Sequence, residues 1–243
     1  MNLGDHVGDL PDSVDANRAA LQKATQTRAV FLKQVHGAEV LTLNAATPDG
    51  LVADACITTQ QRLACTIMVA DCLPVLLTDS EGLVVAAAHA GWRGLAGKSV
   101  SADLTQKGVL ETVFSAFQDS FSAADQSIRA IAAPEIIAWM GPCIGPKAFQ
   151  VGADVKAAFE ATQADAARFF VANGGGKYWA DLSGLARQRL RALGVTQVYG
   201  NDGSDAWCTV ANPATYFSHR RDGGVAGNGF ATTGRMAACI WRQ

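Results

Sequence analysis

The sequence predicts an α/β fold built in layers as a single domain, and three observations predict it. Four apolar, β-branched runs at residues 54–58, 64–70, 72–78 and 83–89 are nearly continuous rather than alternating, the pattern of strands covered on both faces. Longer stretches at 13–26, 95–121, 152–162 and 181–193 read as helices. The chain has 243 residues with no internal repeat and no linker dividing it, a length within reach of one layered α/β domain spanning 1–243.

Taken in order, residues 13–26 open with Ser13 as a capping residue and an acidic first turn, which predicts a helix. Val30–His36 and Glu39–Leu43 read as two strands joined at Gly37-Ala38, followed by a loop over 44–53. The run Leu83-Val-Val-Ala-Ala-Ala-His89 ends abruptly at Ala-Gly-Trp-Arg-Gly. A helix is expected within 95–121, starting near Gly97 or Lys98. Ile136–Met140 reads as a strand running into Gly141-Pro-Cys-Ile-Gly-Pro146, which is expected to be a tight loop. The 181–193 helix has Asp181 at its cap and apolar Leu182, Leu185, Ala186, Leu190 and Leu193. Val195–Val198 and Ala237–Trp241 are expected as late strands, and Gly223–Gly229 as a mobile glycine-rich loop.

Composition narrows the function. An apolar fraction of 49% with 17% charged residues describes a globular chain. A net charge of −2 removes the electrostatic case for binding nucleic acid, although a local basic pocket for one small anion stays compatible with it. The six cysteines form no CxxC pair and mostly lie in apolar runs, as thiols of a reducing compartment do. No apolar run is long enough to span a bilayer, and Met1–His6 does not begin a secretory signal, so the expected location is cytoplasmic.

The residues that could carry chemistry are few. Of the four histidines, His36 and His89 stand at the ends of apolar runs beside small residues, and Asp71-Cys72 interrupts a third run. Two imidazoles and a thiolate from three separate strands give three protein ligands and one open position, the ligand count of a catalytic zinc site. The same residues also allow plainer roles. A histidine at a strand end is commonly just hydrogen-bonded, and Cys72 could be a buried packing residue.

Five collinear segments add to this: Gln34-Val-His-Gly37; Ala70-Asp-Cys-Leu-Pro-Val75; Ala88-His-Ala-Gly-Trp-Arg-Gly94; Gly141-Pro-Cys-Ile-Gly-Pro146; and Phe217-Ser-His-Arg-Arg-Asp222 with Thr233-Gly-Arg-Met-Ala237. Together they resemble the YfiH family, also called the multicopper polyphenol oxidase or laccase-domain family, over nearly the whole chain from Asn2 to Trp241. The resemblance implies mixed β-sheets with helices packed outside, and a zinc ligand set falling on His36, Cys72 and His89. It also implies phosphorolysis of adenosine, inosine, guanosine and methylthioadenosine, and deamination of adenosine. Some members are linked to editing of peptidoglycan precursors, and older labels call them laccases. Two departures stand out. A strand and a Ser-Thr-Arg loop expected ahead of Asn2-Leu-Gly4 are not in a sequence that begins at Met1, and Gly223–Phe230 looks longer than the usual link.

Among the other candidates, Arg93 lies one turn beyond His89, where a guanidinium could grip phosphate or form a structural ion pair. Arg220, a second phosphate candidate, and Arg221 share that ambiguity beside Asp222. Asp71 is a candidate for orienting a ligating histidine or relaying a proton, or for capping the following turn. Cys143 could border the pocket; His6 receives no ligand role. Trp92 and Trp139 are expected in the core, and Cys56, Cys65, Cys208 and Cys239 as packing residues.

The cytidine-deaminase signature is missing, so deamination would need another acid/base, for which Asp71 is the candidate. Three rivals to a zinc phosphorylase follow from the same residues. Two histidines and a cysteine also suit blue copper, though a laccase needs a further imidazole-built cluster and only His6 and His219 remain. Cys72 could instead be the nucleophile of an amide hydrolase acting on a cell-wall precursor. A non-catalytic, metal-stabilised nucleoside-binding module would close the triad with a fourth ligand, for which Cys143 is the candidate.

Overall fold

The apolar runs become the two facing sheets of a sandwich. The structure, a computed structural model, describes residues 1–101, 104–123, 135–223 and 233–243. Its helices are α1 (Pro11–Thr25), α2 (Trp92–Ala96), α3 (Val109–Ala123), α4 (Ala153–Glu160), α5 (Leu182–Ala192) and α6 (His219–Asp222). Its strands are β1 (Arg28–Phe31), β2 (Val40–Thr42), β3 (Ala55–Thr58), β4 (Leu63–Val69), β5 (Leu73–Asp79), β6 (Val85–Ala90), β7 (Lys98–Ser101), β8 (Leu104–Gln106), β9 (Ile136–Met140), β10 (Gln150–Gly152), β11 (Phe170–Ala172), β12 (Lys177–Ala180), β13 (Gln197–Gly200) and β14 (Met236–Ile240).

A six-stranded sheet has the order β13-β9-β5-β6-β3-β2, and a three-stranded sheet the order β1-β4-β14. Both are mixed: β2 pairs β3 and β13 pairs β9 in parallel, whereas β5 is antiparallel to β6 and β9. Likewise β4 is parallel to β1 and antiparallel to β14.

Side-chain alternation sorts each strand between layers. From β3 and β6, Cys56, Val85 and Ala87 join Val30, Cys65, Ile67 and Val69 of the smaller sheet in one core. Their neighbours Ala55, Ile57, Ala86 and Ala88 face the other way, onto Leu95, Leu110, Val113 and Phe117. On the far side of the small sheet, Phe31, Ala64 and Met68 pack with Leu21 of α1. Helices thus cover the outer faces of both sheets, and strands buried on both faces lose their alternation.

Three expectations need correction. The segments read as two strands meeting at Gly37-Ala38 do not pair, because β1 belongs to the small sheet and β2 to the large one. The loop between them carries His36 at φ 61°, so His36 is not a strand residue. The expected helix over 95–121 is three elements: α2, the hairpin β7–β8, and α3. Gly97 supplies the left-handed φ of 72° that ends α2. Finally, α1 begins at Pro11 rather than at a Ser13 cap; the amides of Ser13 and Val14 donate to Leu10 O at 3.0 and 3.1 Å. The Asp181 cap is as expected, its carboxylate accepting from Gly184 N at 2.8 Å. Except for Gly223, the expected glycine-rich loop over 223–229 lies outside the described residues.

Candidate metal centre

His36, Cys72 and His89 meet where the two sheets and α2 come together. Asp54, at the head of β3 and fully buried, builds this corner. Its Oδ2 accepts from the amides of Val35 at 3.1 Å and Gly37 at 2.7 Å. Its Oδ1 accepts from His36 N and from His89 Nδ1, both at 2.8 Å. Three consecutive backbone donors on one carboxylate hold His36 in its left-handed conformation. The fourth bond fixes the His89 ring with Nε2 turned away from Asp54, the arrangement by which a carboxylate orients a metal-ligating histidine.

Two glycines let α2 close on this loop. A β-carbon on Gly91 would stand 2.7 Å from His36 Cδ2 and 3.0 Å from Cys72 Sγ, and one on Gly94 would stand 2.5 Å from Gly37 O. Cys72 follows Asp71, whose φ of 93° turns the chain between β4 and β5.

The ligand atoms of His36, Cys72 and His89 all lie within 4.8 Å of one another, and Cys72 Sγ lies 3.6 Å from His36 Nε2. A tetrahedral zinc ion with Zn–N of about 2.0–2.1 Å and Zn–S of about 2.3 Å has an N···S edge of about 3.6 Å. The donor set therefore fits zinc, and a thiolate with two imidazoles also suits copper.

Electrostatics favour the charged pair in the metal-free chain. Burial pushes the Cys72 thiol up, but His89 and His36 beside it outweigh burial and bring it down to about 6. Burial likewise opposes charge on His89, yet the Cys72 sulfur and Asp54 raise it to about 9. Asp54 itself is held below the ordinary carboxylate value, because its donors outweigh the effect of burial.

The chain matches known proteins along its whole length. The family model described as "Multi-copper polyphenol oxidoreductase laccase" matches residues 1–243. The chain belongs to this laccase-like YfiH family. It is similar to "Purine nucleoside phosphorylase YfiH" of Escherichia coli, 43% identical over 99% of this chain and 86% of that protein. A Haemophilus influenzae protein also named purine nucleoside phosphorylase is 41% identical, with the same coverage. Among solved structures, a Neisseria meningitidis protein matches with a TM-score of 0.80 at 41% identity, covering all of this chain and 86% of that one.

In this YfiH-family chain the three ligand candidates open onto a cavity of about 400 Å³, within the usual size range of small-ligand sites. Arg93 lines it, stacked at 4.5 Å on the Trp92 ring, with no carboxylate partner among the described residues. Arg220 lines it too and donates to Gln150 O at 3.2 Å. Arg221 does not line it. Its guanidinium is committed to Asp222, Thr209 O and Tyr216 O, so it is the structural member of the pair. Asp71 lines the cavity but touches neither histidine; it accepts from Thr209 Oγ1 at 2.5 Å and from Arg220 N at 2.6 Å. Orienting the histidine, one role considered for Asp71, falls to Asp54, which the sequence did not single out.

Cys143 is buried beside Cys208 and is outside the cluster; its neighbour Ile144 faces the cavity. Trp92 packs against the main core as expected while one side of it lines the cavity, whereas Trp139 is 36% exposed and is not the core residue expected. His6 and His219 both line the cavity outside the cluster, so all four histidines of the chain surround it. Arg235, in the Thr-Gly-Arg segment, is a further lining residue with no role expected from the sequence.

Proposed function

We propose that this chain is a zinc-dependent purine nucleoside phosphorylase acting on adenosine, inosine, guanosine and methylthioadenosine, with deamination of adenosine as a second activity of the same cavity. The observation that carries this reading is the joining of a His36–Cys72–His89 cluster to Arg93 and Arg220 in one cavity. The names of its curated relatives support it. The substrates are then small molecules, a nucleoside and phosphate, and the location is cytoplasmic; no helix among the described residues is long and apolar enough to cross a membrane.

His36, Cys72 and His89 would hold the zinc ion, which would supply Lewis-acid polarisation in the cavity. Arg93 and Arg220 hold phosphate by charge-assisted bonds so that one oxygen faces C1′ of the ribose. As that oxygen bonds to C1′, the C1′–N9 bond breaks and its electron pair passes to the purine. Asp71 is the one carboxylate lining the cavity among the described residues. We assign it the proton transfer that deamination requires. His36, Cys72 and His89 are the metal ligands, and Asp54 holds two of them in place.

Incubation of zinc-loaded protein with each nucleoside, with and without phosphate, tests this by chromatography. Free base and the sugar 1-phosphate are expected only with phosphate, inosine is expected from adenosine, and all are expected to disappear in His36→Ala and Cys72→Ala. Absence of phosphate-dependent base release, or full activity in those variants, overturns the proposal.

A second reading has one observation in its favour: a thiolate pulled down to about 6 beside two imidazoles is also the form of an activated nucleophile. Rapid alkylation of the zinc-loaded protein by iodoacetamide at Cys72 would favour an amide hydrolase over zinc ligation. Neither a multicopper oxidase nor a closed four-ligand module gains support from the geometry. His6, His219 and Cys143 all lie outside the cluster.

A further inference from the structure

Arg235 stands just ahead of β14 and lines the cavity with Arg93 and Arg220. Its backbone and stem are gripped by the N-terminal segment. Arg235 N donates to Asn2 Oδ1 at 2.8 Å, and Leu3 N donates to Arg235 O at 3.0 Å. Gly4 lies so close that a β-carbon there would stand 2.8 Å from Arg235 Cγ. Asn2 is itself fixed, accepting from Gly4 N and donating to Asp9 Oδ2, both at 2.9 Å.

The guanidinium is only partly engaged. Nη1 donates to Thr233 O at 2.8 Å and to Gly234 O at 3.3 Å, whereas Nε and Nη2 have no partner among the described residues. No carboxylate pairs with it there; the Cys72 sulfur and, less strongly, Asp71 act on it through space, and the Asp71 oxygens already accept from Thr209 and Arg220 N. Burial works against the charge on Arg235. A half-buried guanidinium with free donors gains strongly from an anion that completes its bonding.

We infer that Arg235 is a phosphate-binding residue of this cavity, presenting its Nε and Nη2 donors to two oxygens of the anion. It approaches from the side of the three-stranded sheet, whereas Arg93 approaches from α2. The inference rests on the phosphorolytic reading above. Asn2 and Gly4 then act as positioning residues, holding the stem so that the fork is set before phosphate arrives.

Titration of inorganic phosphate into zinc-loaded protein, with inosine affinity and zinc content measured in parallel, tests the inference. Arg235→Gln is expected to weaken phosphate by about 10- to 100-fold, the loss of a charge-assisted pair of bonds. Arg235→Lys is expected to recover part of that, having the charge without the fork. Inosine affinity and zinc content are expected to stay at the wild-type level in both. Wild-type phosphate affinity in Arg235→Gln overturns this inference and leaves the proposed function standing. Failure of the unaltered protein to bind phosphate overturns both. Loss of zinc or of inosine binding in Arg235→Lys as well as Arg235→Gln overturns it in favour of a purely structural arginine.

Discussion

Replacing Asp54 by asparagine removes one charge and almost no volume, yet its effect should be large. Each carboxylate oxygen accepts two donors: Oδ1 from His36 N and His89 Nδ1, Oδ2 from Val35 N and Gly37 N. An asparagine has one acceptor oxygen, so either orientation turns its NH2 toward two of those donors. With the NH2 toward Val35 and Gly37, two backbone amides lose their acceptor, at about 1–3 kcal/mol each, or roughly 2–6 kcal/mol in all. With the NH2 toward His36 and His89, the imidazole can adapt by accepting at Nδ1. Its proton then sits on Nε2, the nitrogen turned away from position 54, and His89 no longer offers that lone pair to a metal. Metal affinity should fall by about 10–100-fold. Competition with a chromogenic zinc chelator measures the affinity, and urea unfolding of the metal-free protein measures the stability. Wild-type zinc affinity together with stability within about 0.5 kcal/mol of wild type would refute the role given to Asp54.

Other outcomes follow from the same corner. In the metal-free chain His89 is held at about 9 and Cys72 at about 6. Between those values a metal ion must displace the His89 proton, so apparent affinity should rise with pH through this range and level off above about 9. Zinc titrations across that range check this, and a pH-independent affinity between about 6.5 and 8.5 contradicts it. Gly91→Ala places a β-carbon 2.7 Å from His36 Cδ2 and 3.0 Å from Cys72 Sγ, against a normal separation of about 3.5–4.0 Å. The ligands must move by several tenths of an ångström, more than the roughly 0.2 Å a metal site tolerates. Zinc affinity should drop by about tenfold or more, with about 1–3 kcal/mol lost from folding by overpacking; calorimetry reads both. Asp54 also ties stability to acid. Its folded value lies below the ordinary 3.8, so its contribution is full above that pH and is lost as pH falls through the folded value. Stability measured by urea unfolding should therefore begin to fall as the pH drops below about 4, and less so in Asp54→Asn.

What could be read from the sequence was what burial imposes locally. The runs that became β3, β4, β5 and β6 are apolar on both faces because each lies between two packed layers, and that pattern is visible without coordinates. The strands β10, β11 and β12 span only three or four residues and alternate little, so nothing marked them. The stretch 95–121 reads as one helix from Gly97 or Lys98 because its apolar residues continue across Gly108, yet Gly97 closes one helix and the next begins only at Val109. Gly97 ends α2 with a positive φ, and a β-carbon on Gly108 would lie 2.5 Å from Leu95 O. At the metal centre, His36, Cys72 and His89 stood out by interrupting or ending apolar runs. Asp54 does the same within Val52-Ala-Asp-Ala-Cys56, and that interruption is the signal by which the sequence marks it. Its partners lie 17 to 35 residues away, and only the fold joins them. Arg235 gave less warning, since what distinguishes it is the grip of Asn2 and Gly4 from the other end of the chain.

In the proposed site His36, Cys72 and His89, drawn from separate parts of the sequence, share one ion and leave a coordination position open. Metal analysis with X-ray absorption at the metal edge tests this. One zinc per chain is expected, with a single sulfur at about 2.3 Å and two imidazole nitrogens at about 2.0–2.1 Å, and one further light-atom ligand. Substoichiometric metal in protein prepared without chelator, or a first shell containing no sulfur or two, would contradict it.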